Sequence, residues 1–146
     1  MGANNAPPLV REEALRRIIV DGDAKLLVET ASQLGRSLKE AGLSSSQIRT
    51  IFGEVRELEM RWHRDATEEE VQECQWRLLM LRPKLAYQEG REAHRADRDA
   101  RGTGVRDLRL VLDPALVMVE GDRKRFGRFV DFFEAILAYH RAAGGR

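Results

Sequence analysis

An all-α chain, folded as a single compact bundle of five or six helices, is what this sequence of 146 residues predicts. Three observations carry that expectation. Apolar residues recur at alternating spacings of three and four over most of the length, the period that lines up one face of a helix. Two of these stripes open on capping-box signals, Ser44 with Gln47 and Thr67 with Glu70. The one alternating run, Leu108 to Leu112 (LRLVL), has no second strand to satisfy its backbone groups, so it too is read as helical.

The elements follow in order. Residues 1–8, MGANNAPP, read as a flexible arm that stops at a proline pair, and the folded domain as 9–143. Leu15, Ile18 and Ile19 place a short helix within about Leu9 to Val20, closed by the turn Asp21-Gly22-Asp23. From Ala24 to Ala41, Leu27, Ala31, Leu34, Leu38 and Ala41 make one stripe, and Gly42 stops it. Ser44 begins the next helix, whose stripe of Ile48, Ile51, Phe52, Val55, Leu58 and Trp62 runs to about Arg64. Thr67 caps a fourth, carrying Val71, Cys74, Leu78, Leu81 and Leu85, and Pro83 should kink it, leaving the Leu79 carbonyl to water or a neighbour before the helix resumes through Tyr87.

Residues 90–104, GREAHRADRDARGTG, have too little apolar surface to fix themselves and predict a mobile charged loop or frayed helix. Asp113-Pro114 fits a cap and first helical position, so Val105 to Val119 is one kinked helix or two short ones. The last helix, about Asp122 to Ala142, carries Phe126, Phe129, Val130, Phe133, Ile136, Leu137 and His140, with Phe132 and Tyr139 beside them. So aromatic a helix belongs at the centre of a bundle or against a second copy of the chain.

Composition excludes more than it assigns. The 25 basic and 24 acidic residues leave a net charge of +1, so bulk charge predicts no nucleic-acid partner. All the basic residues but Lys25, Lys39, Lys84 and Lys124 are arginine, whose planar fork suits phosphate and carboxylate. The lone Cys74 excludes an internal disulfide, and with no long apolar run or leader the expected location is cytoplasmic, without a membrane. His63, His94 and His140 lie on separate segments without ligand spacing, and no phosphate loop or carboxylate pair stands out. No catalytic residue, metal or cofactor is expected, and the chain reads as no enzyme.

Three stretches, in order and spacing, resemble the small-subunit family of the type III-A (Csm) CRISPR interference complex: SSSQIRTIFGEV (Ser44 to Val55), LLMLRPKLAYQEGR (Leu78 to Arg91) and RFGRFVDFFEAILAYHR (Arg125 to Arg141). The resemblance covers roughly Ser44 to Arg141 and leaves the first 43 residues and the 90–104 loop without a motif. It implies a non-catalytic helical protein that stacks in several copies beside other Csm subunits, lining the groove that holds guide RNA and target RNA.

With that implication, three basic groups become candidate RNA contacts. Arg49, Gly53 and Arg56 share a face off the apolar stripe, where glycine would let a sugar-phosphate backbone approach; the alternative is pairing of both arginines with Glu57, Glu59 or another copy's acids. Arg82, Lys84 and Arg91 flank Pro83, with Arg95, Arg98 and Arg101 beyond and Glu89, Glu92, Asp97 and Asp99 diluting them. Arg123, Lys124, Arg125 and Arg128 crowd a helix start, where cations oppose the helix dipole unless phosphate, or Glu120, Asp122 and Asp131, compensates. Tyr87, Tyr139, Trp62 and Trp76 are candidates for base stacking, for core or for subunit contact, with Trp76 off the main stripe.

Two rival readings stand beside RNA binding. A structural spacer would use these arginines for subunit contacts and never touch RNA. A helical DNA-binding regulator would bind duplex sequence-specifically as the isolated protein.

Overall fold

The computed structural model describes residues 9–96 and 103–146, with side chains left undescribed at 93–96. Within them are seven α-helices and no strand: α1 (Glu12–Ile19), α2 (Ala24–Glu40), α3 (Ser45–Arg61), α4 (Glu68–Leu79), α5 (Leu81–Ala96), α6 (Gly104–Val119) and α7 (Arg123–Ala142). Only Met80 separates α4 from α5, so the two make one broken rod and the bundle has six limbs. The arm 1–8 and residues 97–102 of the expected loop lie outside the described residues.

Most boundaries follow from side chains that satisfy free helix ends. Asp23 accepts from Leu26 N–H (3.0 Å) to open α2. Gln47 Oε1 accepts from Ser44 N–H (2.8 Å) at α3. Thr67 and Glu70 bond reciprocally at α4, at 2.8 and 3.2 Å. Asp122 accepts from the N–H groups of Lys124 and Arg125 to open α7. Gly42, at φ 85°, stops α2, and Leu43 N–H reaches back to the Leu38 carbonyl (3.0 Å).

Two boundaries need correction. α1, at Glu12–Ile19, falls within the expected span, but α3 ends at Arg61, short of Arg64, with Trp62 as its cap. The break in the fourth limb falls at Met80, three residues before Pro83. Pro83 thereby occupies the first turn of α5, where no N–H is needed, so the chain breaks where proline costs least. α5 then carries on through Gly90 to Ala96, so the first part of the charged segment is helical.

α6 is one helix with Pro114 inside it, and Leu108–Leu112 is helical as expected. Proline there frees the Leu110 carbonyl; Leu110 is half exposed, so water can reach that side of the helix. Asp113 does not cap a second helix. It binds Arg109 (3.1 Å) instead.

α7 is the central element, with α1, α2, α3 and α6 all packed on it. Phe126, Phe129, Val130, Phe132, Phe133 and Ile136 are buried, and the core cluster takes residues from all seven helices. Trp62 stacks on Phe126 at 4.7 Å, and Phe52 meets Phe133 edge-on at 5.1 Å. Close crossing of α2 and α7 depends on Gly35, where a Cβ would lie 2.6 Å from the His140 nitrogen. No described helix is long and apolar enough to cross a membrane.

Candidate nucleic-acid interface

The core-facing stripe of α3, Ile48, Ile51, Val55 and Leu58, fixes what the opposite face must be. Ser46, Arg49, Gly53, Arg56 and Met60 share that face and are all exposed. A Cβ on Gly53 would meet nothing within 4 Å, so the surface between the two arginines is open. The arginines differ. Arg56 reaches Glu59 (3.2 Å) and Glu134 (3.8 Å), while Arg49 makes no ion pair among the described residues. Glu57, the other acid considered for them, faces Arg61 (3.8 Å).

At its N-terminal end this face opens into a cleft of about 670 Å³ lined by Ser44, Ser45, Ser46, Arg49, Arg141 and the tail Gly144, Gly145 and Arg146. The tail is drawn there by α7. Gly145 N–H bonds the His140 carbonyl (2.9 Å), and Ser45 N–H donates to a main-chain oxygen of Arg146, the last residue. Beneath it the buried His140 donates Nε2–H to the Leu43 carbonyl (2.7 Å). The cleft is thus lined by three arginines and three serines at the start of a helix, where the Arg146 main-chain oxygen already takes the Ser45 N–H, and no Asp or Glu lines it. Arg141 and Arg146 escape a sequence reading because only folding brings them to Arg49; the one hint is the basic, glycine-ended run HRAAGGR.

The strip around Pro83 is largely neutralised. Arg82 lies 3.5 Å from Asp113, and Lys84 pairs with Glu54. Arg109, which sequence reasoning passed over, holds Glu89 and Asp113 and locks α5 to α6; these carboxylates hold its charge even more firmly. Arg91 alone of the three named candidates is exposed with no ion pair among the described residues. Of the further cations, Arg95 has no described side chain, and Arg98 and Arg101 lie outside the described residues.

At the start of α7 the opposing charge is compensated from within. Arg123 donates Nε–H to the Trp62 carbonyl (2.7 Å) at the end of α3. Arg125 donates to the Met118 carbonyl (3.2 Å) near the end of α6 and to Glu120 (2.8 Å). Arg128 donates to the carbonyls of Ile19 (3.3 Å) and Val20 (2.9 Å) at the end of α1. Three cations thus lie against the negative ends of three other helices, which offsets the unfavourable position on their own. The sequence pattern showed their cost on α7 and not this return elsewhere. Lys124 stays exposed without an ion pair among the described residues.

The aromatics separate cleanly. Trp62 is buried and Tyr139 half-buried, while Trp76 and Tyr87 are exposed at 67% and 71%. Trp76 lines a shallow groove with Val71 and Leu79. Burial pushes the Cys74 thiol up, away from a reactive thiolate. Among the described residues no His, Cys, Asp and Glu gather as metal ligands.

The family model Csm2 Type III-A aligns with residues 21–146, reaching back over α2 as well as the motif-bearing helices. No curated protein and no solved structure matches the chain.

Proposed function

Because the chain belongs to the Csm2 type III-A family, the small subunit of the type III-A Csm complex, we propose that it holds target RNA by its sugar-phosphate backbone. In this reading it has no catalytic role and works in the cytoplasm, stacked in several copies along the guide RNA. Pairing with the guide supplies sequence specificity, so the protein needs only charge and shape.

The observation that carries this reading is the cleft at the start of α3. Arg49, Arg141 and Arg146 line it together with Ser44, Ser45 and Ser46, and no Asp or Glu is in the lining. In a chain of net charge +1, such a place is where a phosphate gains most and repels least. The open face around Gly53 gives the strand a path along α3.

The test is the affinity of the assembled complex for single-stranded target RNA across a salt series, with wild-type chain and with Arg49→Ala and Arg141→Ala. Each phosphate contact removed should flatten the logarithmic salt slope by about 0.7. An unchanged slope in the double variant overturns the reading. One observation favours the spacer as a second reading: the groove of Val71, Trp76 and Leu79 leaves apolar surface suited to another subunit. That reading predicts loss of co-purifying subunits in Trp76→Ala with RNA slope intact.

A further inference from the structure

The bundle leaves one face of α5 unused. Leu81 and Leu85 are buried, which turns Pro83, Lys84, Ala86, Tyr87, Gly90 and Arg91 to solvent. Tyr87 stands out on this face, 71% exposed. Its helical neighbours there, Pro83, Ala86 and Gly90, are small, and a Cβ on Gly90 would meet nothing within 4 Å, so nothing on α5 closes over the ring.

The ring also has charged company. Lys84 lies three residues before it and Arg91 four after, one turn to either side. Lys84 pairs with Glu54, and Gln47 Nε2 donates to Glu92 Oε1 (2.9 Å), so the stripe Lys84, Tyr87, Arg91 runs along the seam where α5 is clasped to α3. The exposed face of α3 that carries Arg49 and Gly53 lies across that seam.

We propose that Tyr87 is a stacking platform for an unpaired nucleobase of an RNA strand whose phosphate lies against Arg91. An exposed aromatic ring beside a cation is the arrangement by which single strands are held without sequence preference, since every base has a face to stack. A subunit docking over the ring would have to match Arg91, which has no ion pair among the described residues, with an acid. The proposal rests on the RNA-binding reading, and names which part of the strand this side of the seam takes.

The experiment uses the assembled complex with Tyr87→Ala or Tyr87→Phe and target RNA carrying 5-iodouridine, read by affinity across salt and by photocrosslinking. Tyr87→Ala should bind about fivefold or more weakly, with unchanged salt slope because no phosphate contact is lost. Tyr87→Phe should bind as wild type, and crosslinks should map to the peptide containing Tyr87. Wild-type affinity in Tyr87→Ala, while Arg49→Ala/Arg141→Ala flattens the slope, overturns stacking and leaves backbone binding standing. If neither set changes binding, the RNA reading itself has failed. Loss of Tyr87→Ala from the complex on purification makes the ring a protein contact and also overturns the proposal. With the ring this exposed, melting of the free variant should match wild type.

Discussion

Replacing Arg128 by methionine separates the two uses this chain makes of arginine. The side chain donates from Nη1 to the Ile19 and Val20 carbonyls, closing the end of α1. Methionine keeps an apolar stem of similar reach and removes the donors. Ile19 is fully buried and Val20 partly so, which means water can replace only part of what is lost. Hydrogen bonds from a charged donor contribute about 1.5–3 kcal/mol each, and with rehydration at Val20 the net loss should be about 2 kcal/mol. Unfolding entropy near 2.1 cal/mol/K per residue makes that a fall of about 6 °C in melting temperature for a domain of this size. Thermal melts followed by circular dichroism measure it, with Lys124→Met as control at less than about 0.5 kcal/mol. The RNA salt slope should stay unchanged in Arg128→Met. Wild-type melting together with a slope flattened by about 0.7 would show that Arg128 serves phosphate, and the capping argument would fail.

Two further outcomes follow from the same structure. His140→Ala removes a buried ring and orphans the Leu43 carbonyl, so the chain should lose about 2–4 kcal/mol in urea unfolding; a loss under about 1 kcal/mol contradicts that role. In acid, Asp23 and Glu70 should contribute to unfolding, because backbone N–H bonds, from Leu26 and Thr67 respectively, hold both below their ordinary values of 3.8 and 4.5. A carboxylate depressed in the folded state stabilises above its ordinary value, and that contribution is lost as pH falls through the folded one. Asp23→Asn with Glu70→Gln should therefore lose less melting temperature than wild type between about pH 6 and about pH 3, and parallel curves would contradict it.

How far the sequence could be read depended on the range of the interactions involved. Stripes and caps are local, so the helical class, the starts at Ser44 and Thr67 and the aromatic centre of α7 were all legible before any coordinates. The break has a local cause: the sequence reads proline as a disruption within a continuing helix, whereas ending α4 at Leu79 puts Pro83 where a helix tolerates it. Asp113 departs from its expected place for the opposite reason. The local pattern Asp-Pro suggested a cap, and a partner four residues back together with Arg82 on another helix took the carboxylate instead.

The candidate site shows the limit more sharply, because an arginine is defined by what it faces. Arg49 and Arg128 are chemically identical, and local sequence gives no reason to prefer one as a phosphate ligand. In the fold, Arg128 meets backbone carbonyls of α1 and gains its stabilisation there, as Arg123 and Arg125 do at α3 and α6. Arg49 lines a cleft with Arg141 and Arg146 and makes no ion pair among the described residues. Three of the four cations crowding the start of α7 are thus used by the protein itself. Arg49, brought by folding to a cleft shared with Arg141 and Arg146 from the other end of the chain and with no Asp or Glu in its lining, is where an external anion has most to offer.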